Sequence, residues 1–239
     1  MKTAVIVAAG LSSRLYPLTE QTPKCLLSLG KEKILERNLR ILKANGIEKV
    51  LIVTGFKKHL IENVIEDRDT VKTVFNPYYK YCNNMGSLYA VKETLNAEPF
   101  LYLHGDVVFT EELMTEFITK INVKADIDLA VDFKPTDEEA MKVRINSNKQ
   151  LIESDKEIPL HESAGEWIGL AAINNPKVVF EYIEDALVDE KLTVYDTYAF
   201  TKMANDGREI RCLSIDEQNW VEIDFIEDYE KAKEMFVNE

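Results

Sequence analysis

The run Thr3-Ala4-Val5-Ile6-Val7-Ala8 carries no alternation of polar and apolar residues, and it ends at Ala9-Gly10. A strand with one wet face alternates; a strand without alternation is covered on both faces. The chain is therefore expected to build a sheet layered between helices. The next segment agrees, because residues 33–45 place Ile34, Leu35, Leu39, Ile41 and Leu42 near helical spacing, with Gly46 where a left-handed cap belongs. Further β-rich runs at 50–54, 71–75, 100–103 and 127–133 alternate with helical patterns at 60–65, 88–95 and 111–121. Such alternation marks βαβ units.

Beyond Phe133 the rhythm weakens into shorter candidate strands at 141–145, 151–153 and 167–173, then helices at 178–187 and 195–204. Closing strands are predicted at 209–215 and 220–223. A terminal helix at 225–236 would turn Phe225, Ile226, Tyr229, Ala232 and Phe236 to one side. The second half thus reads as mixed and partly antiparallel. With 239 residues, 46% hydrophobic and 30% charged, and no linker or repeat, residues 1–239 read as one α/β domain.

Charge and cysteine content exclude several functions. The net charge of -13 repels a nucleic-acid backbone. Cys25, Cys82 and Cys212 form no CxxC pair and are odd in number, so neither a disulfide framework nor a thiolate zinc site is expected, which suits a reducing cytoplasm. The stretch MKTAVIVAAG is too short to span a membrane and poor as a signal peptide, and is read as the first strand. No membrane partner is expected, and the sequence is compatible with a homodimer without fixing one.

Chemistry concentrates first at Ala8-Ala9-Gly10-Leu11-Ser12-Ser13-Arg14, where small residues let backbone N–H groups approach a phosphate. Lys24 follows ten residues after Arg14. Two fixed cations beside a glycine turn suit a triphosphate, arginine holding two oxygens and lysine acting as a point charge. Neither GxGxxG nor GxxxxGK[ST] occurs, so a dinucleotide enzyme or P-loop ATPase is not supported.

The segment VAAGLSSRLYPLTEQTPKCLL closely resembles the signature of the sugar-nucleotidyltransferase superfamily, (L/V)AAG-x-x-x-R-(L)…PK-x-L. That resemblance implies a Rossmann-like three-layer α/β fold with a mixed central sheet. It also implies that the loop from Ala8 to Arg14 covers the nucleotide while Arg14 and Lys24 bind its phosphates. Where this chain has Leu11-Ser12-Ser13, many relatives have a second glycine or a threonine. His104-Gly105-Asp106 ends an apolar strand, at the sheet edge where ligands bind. In the superfamily such an aspartate binds Mg²⁺ with a second one late in the chain, which matches Asp224. Two aspartates and a triphosphate make a suitable shell for Mg²⁺. Asp224 has a structural reading too, as N-cap of the last helix. Glu222 would share its strand face and is a further candidate ligand.

The stretch Asn83-Asn84-Met85-Gly86-Ser87-Leu88-Tyr89 resembles the N-x-x-SL(Y) segment of cytidylyltransferases acting on phosphocholine and on phosphonates such as 2-aminoethylphosphonate. Gly-Asp-Val-Val-Phe, DIDLAVD and Glu166 to Leu170 lean toward the phosphonate branch. By that resemblance Asn83 and Ser87 are nucleotide candidates and Asn84 an acceptor candidate; the structural alternative is a polar loop ending in a Ser N-cap. Acceptor-binding elements are expected mainly within 134–205. Lys142 and Arg144 alternate on a predicted strand and could meet the acceptor anion, or form a solvated face. Glu166, Trp167, Asp196 and Tyr198 could hold an ammonium, although Trp167 also suits a core and Tyr198 helix packing. His59, His104 and His161 lack metal-ligand spacing.

The expected reaction joins CMP from CTP to a small phosphonate or phosphate and releases pyrophosphate. Phosphocholine, or a sugar 1-phosphate with another nucleotide, is the alternative within the class. A non-enzymatic nucleotide sensor lies outside it, but it should have lost a cation or metal carboxylate.

Overall fold

The computed structural model describes residues 1–65, 67, 69–215 and 219–236. The non-alternating run is β1 (Thr3–Ala8), buried at five of its six positions. Two single-turn 3-10 helices follow, Ser13–Leu15 and Lys24–Leu26, each anchored by buried leucine. A small hairpin of β2 (Ser28–Leu29) and β3 (Glu32–Lys33) leads into α1 (Ile34–Ala44). That helix ends where the sequence predicts: Gly46 has φ +79°, with Gly46 N–H donating to Lys43 O and Ile47 N–H to Leu42 O. This is a Schellman cap, and glycine accepts its left-handed conformation without strain.

Then come β4 (Lys49–Thr54), α2 (Lys58–Val64), β5 (Val71–Phe75), α3 (Asn84–Tyr89), α4 (Lys92–Leu95), β6 (Phe100–His104), β7 (Val107–Phe109) and α5 (Glu111–Lys120). The second half holds β8 (Ile127–Asp132), β9 (Lys142–Ile145), β10 (Leu151–Asp155), β11 (Gly165–Ile173), α6 (Pro176–Val188), α7 (Thr197–Asn205), β12 (Ile210–Ser214), β13 (Trp220–Glu222) and α8 (Ile226–Phe236).

Nine strands form one sheet in the order β10-β9-β11-β6-β1-β4-β5, with β8 joining β11 to β12. The first-half strands β6, β1, β4 and β5 are parallel, whereas β11 runs antiparallel to β6, β8 and β9. The central sheet is therefore mixed, as expected. On one face, Val5, Leu51 and Tyr102 pack with Leu88, Ile183 and Phe200 of α3, α6 and α7. On the other, Ile6, Ile52 and Leu103 pack with Ile41 of α1 and Phe117 of α5. Helix, sheet and helix make three layers. A third cluster joins Leu15, Ile34, Val108, Val221, Ile223 and Phe236, fastening α8 beside the β7–β13 pair. Among the described residues no helix is long and apolar enough to cross a membrane.

Three expectations need correction. The helix predicted at 88–95 is two short ones, the first beginning at Asn84 with Asn83 as its cap, so Ser87 lies inside a helix and does not cap one. In α8 the contact is carried by Ala232 and Phe236, while Phe225 and Ile226 stay exposed, because one short helix presents only a narrow stripe to the β7–β13 pair. The β7–β13 pair interrupts the simple strand–helix alternation.

Ile6 sits fully buried in the middle of the central strand, so Ile6→Ala should cost about 2–5 kcal/mol in urea unfolding. Val123→Ala, at a position 79% exposed, should change stability by less than about 0.5 kcal/mol. Equal effects from the two would contradict this core.

Candidate active site

Because β1 and β6 are parallel neighbours with Val7 opposite His104, the Ala8-Ala9-Gly10 turn and the His104-Gly105-Asp106 turn emerge side by side. The Gly105 N–H donates to Val7 O at 2.9 Å, which holds the two turns together. Ser12 is left-handed (φ 53°), and its carbonyl accepts from Thr19 Oγ1 at 2.6 Å. This bends the chain so that Leu15 enters the core and Arg14 faces outward.

Lys24 is delivered in a similar way. Cys25 and Leu26 of its 3-10 turn are buried, and the ammonium points the other way, into a nest of acids. Lys24 Nζ lies 2.8 Å from Asp106 Oδ2 and 3.0 Å from Asp224 Oδ1, and Arg14 donates to Asp224 Oδ2 at 2.8 Å. Asp224 arrives there because β13 pairs with β7, and because Ile223 N–H donates to Asp106 O at 3.1 Å. The cap reading of Asp224 does not hold: the Asp228 carboxylate accepts from the N–H groups of Asp224 and Phe225 at 3.0 and 2.8 Å, leaving the Asp224 carboxylate to the cations.

Burial by itself would lower the Lys24 pKa, but Asp106 and Asp224 outweigh it and hold the ammonium above its ordinary value. Burial would raise Asp106, yet Lys24 and His104 keep it below the usual carboxylate range. Glu222 is different. Burial, then the charges of Asp106 and Asp224, push its carboxyl up to about 7. Ligand atoms of His104, Asp106 and Glu222 lie within 4.8 Å of one another. Hard carboxylate oxygens, with more negative charge than Lys24 and Arg14 neutralise, fit a cation of the magnesium type. His104 is not needed as a ligand, since its Nε2 meets Asp196 Oδ2 at 3.1 Å and Asn84 Nδ2 at 3.3 Å.

Asp196 is fully buried and also accepts from Tyr102 Oη at 2.6 Å and Thr197 N–H at 3.0 Å. Burial opposes the imidazolium, but the Asp196 hydrogen bond and charge raise His104 to about 9. Gly169 makes room for that ring. At φ +76°, in a register shift of β11, a Cβ there would stand 2.7 Å from His104 Nδ1.

The predicted nucleotide residues converge. A cleft is lined by Ala8, Ala9, Gly10, Ser12, Asn83 and Ser87 together with Lys24 and Asp106. It continues past Ser13, Arg14, Asn84, Glu222 and Asp224, while Leu11 stands exposed outside this lining. Ser87 is buried and accepts from Asn76 Nδ2 at 3.2 Å.

The acceptor expectations fare less evenly. Lys142 does not face the cleft: it is fully buried, its ammonium donating to the backbone carbonyls of Glu138 (3.1 Å) and Lys156 (2.6 Å). Arg144 is paired with Glu153 and Glu162. Asp196 acts through His104. Tyr198 packs on the core with Lys202 over its ring, and Trp167, 1% exposed, touches the cleft only as part of the core wall. Glu166 opens into a second cavity beyond Glu222.

Among the cleft residues that sequence reasoning missed are Lys156 and Tyr195, with Lys156 Nζ 3.6 Å from Glu139 and over the Tyr195 ring at 5.8 Å. Asp155-Lys156 reads in sequence as an ordinary charged turn, and only the three-dimensional return of β10 toward the cleft shows otherwise.

Comparison with known proteins points to nucleotidyltransferases. Over 95% of its length the chain is 25% identical to the CTP:phosphoglutamine cytidylyltransferase of Campylobacter jejuni, covering 97% of that protein. A 92-residue stretch, 38% of this chain and 40% of the relative, is 40% identical to the choline-phosphate cytidylyltransferase of Streptococcus pneumoniae. Another of 109 residues, 46% of this chain and 44% of the relative, is 33% identical to the 2-aminoethylphosphonate cytidylyltransferase of Lancefieldella rimae. In fold it matches the solved CTP:phosphocholine cytidylyltransferase of S. pneumoniae with TM-score 0.82 and 23% identity, covering 98% of this chain and 99% of that one. Residues 4–163 match the MobA-like NTP transferase domain, and the chain belongs to this family of nucleotidyltransferases.

Proposed function

We propose that the protein transfers CMP from CTP to a small phosphonate such as 2-aminoethylphosphonate and releases pyrophosphate. The observation that carries this reading is the Lys24 ammonium shared by Asp106 and Asp224 beneath the glycine turn. That arrangement holds two carboxylates and a cation where a triphosphate can enter. Its similarity to cytidylyltransferases supports CTP as donor.

In this reading Arg14 and Lys24 exchange their carboxylate partners for phosphate oxygens of CTP, and Lys156 meets the acceptor anion. An acceptor oxygen attacks the α-phosphorus in line; a new P–O bond forms as the bond to the pyrophosphate oxygen breaks. The residues contribute mainly position and fixed positive charge. Asp106, Asp224 and Glu222 would hold Mg²⁺, which when bound supplies charge neutralisation to the phosphates. For a phosphate monoester acceptor no general base is needed, because its second pKa near ~6 leaves it largely dianionic at neutral pH. His104, held by Asp196 and Asn84, orients the wall between nucleotide and acceptor. Phosphocholine is the second reading, favoured by the stretch of 40% identity to the pneumococcal enzyme.

Three outcomes are expected. Pyrophosphate release assayed with CTP, UTP, dTTP and ATP should be strongest with CTP, and among 2-aminoethylphosphonate, phosphoethanolamine, phosphocholine and glucose 1-phosphate it should select an amine-bearing acceptor. Preference for UTP or dTTP with glucose 1-phosphate would overturn the reading. Lys24→Ala and Asp106→Ala should each lower kcat by roughly 10²-fold or more with an unchanged circular dichroism spectrum. Near-normal turnover in either folded variant removes the assigned role. A chelator should abolish turnover and added Mg²⁺ restore it; full activity in the chelator would exclude the carboxylates as a metal site.

A further inference from the structure

Lys142 lies fully buried with no carboxylate partner among the described residues, and the reaction as described gives it no part. A buried ammonium is tolerated where its donors are satisfied, and these go to the carbonyls of Glu138 at 3.1 Å and Lys156 at 2.6 Å. One ammonium thus ties the loop carrying Glu139 to the turn carrying Lys156. Asp137 Oδ1 steadies that loop further, accepting from the N–H groups of Glu139 and Ala140 at 2.9 and 3.0 Å.

The two side chains so placed meet each other. Glu139 Oε2 stands 3.6 Å from Lys156 Nζ and accepts from Arg14 Nη1 at 3.2 Å. Arg14 and Lys156 line the cleft, whereas Glu139 lines the neighbouring cavity and reaches across to both. The other terminal nitrogen of Arg14 is on Asp224, so both arms of its fork are engaged by carboxylates. Asp224 has a second task in the proposed reaction, as a ligand for the cation. Glu139 has none.

We infer that Glu139 is a built-in competitor of the substrates: its carboxylate holds Arg14 and Lys156 while the cleft is empty and gives way when phosphate oxygens arrive. Carboxylate and phosphate are alternative acceptors for the same N–H donors, so one must leave before the other binds. The exchange is easy, because the Arg14 and Glu139 side chains are 47% and 58% exposed and an ion pair so wet is weak. Every phosphate-bearing ligand of these cations is held less tightly as a result, the departing pyrophosphate included. The inference rests on the transferase reading in one respect, that Arg14 and Lys156 are phosphate ligands.

The test measures binding of CTP and of inorganic pyrophosphate by calorimetry, with Mg²⁺ present, in wild type, Glu139→Gln and Glu138→Gln. Glu138 adjoins Glu139 and carries the same charge, but its carboxylate makes no ion pair among the described residues, so that variant reports the general effect of one charge fewer. Glu139→Gln, with an unchanged circular dichroism spectrum, should bind both ligands about threefold tighter or more. Glu138→Gln should leave both nearly unmoved. A Glu139 that only braced the loop would lose affinity on substitution instead of gaining it. Unchanged or weaker binding in Glu139→Gln, or equal tightening in Glu138→Gln, overturns the competitor; the wild type still binds CTP and the transferase reading stands. Absence of CTP binding by the wild type overturns both.

Discussion

A single ammonium group holds the site together. Lys24 is bonded to carboxylates 82 and 200 residues further along the chain, and it is largely withdrawn from water. An isolated charge could not stand there, since desolvation would exceed anything one surface contact returns. Two carboxylates make it tolerable, and Arg14 on the far oxygen of Asp224 completes the ladder. The apolar scaffold serves this arrangement. Cys25 and Leu26 fix the lysine's turn, Val7 and Leu103 bring two strand ends level, and Val221 and Ile223 carry Asp224 across from the last strand. The acids nonetheless exceed the cations, and Glu222 responds to burial and to Asp106 and Asp224 by holding its proton more tightly. That repulsion is the electrostatic ground on which the proposed cation site rests.

The sequence showed the sheet and most of the helices because they obey simple periods. Non-alternating β1 had to be central, and Gly46 had to end α1, since each follows from local chemistry alone. Arg14, Lys24, Asp106 and Asp224, which the structure brings together, were picked out for a different reason: resemblance to a family's signature and not periodicity. What stayed hidden depends on contacts that spacing cannot encode. Lys142 and Arg144 share a strand, but one is swallowed under backbone carbonyls and the other is taken by two glutamates. Asp196 looked like a ligand group and is a buried prop for His104 and Tyr102. The left-handed Gly169 leaves no mark on hydrophobic periodicity, though it decides where the His104 ring can lie.

The cleft is polarised along its length. Arg14, Lys24 and Lys156 line the cleft itself, and Asp132 and Glu166 line the neighbouring cavity that shares Glu222 and Asp224 with it. Glu166 shows how strongly the far end lacks positive charge: burial first, then Glu222, Asp137 and Asp132, raise its carboxyl to about 8. Such polarity sorts charge: anionic oxygens are drawn toward the cations of the cleft, and a second anion beside Glu166 is disfavoured by carboxyls that burial and their neighbours already keep from ionising.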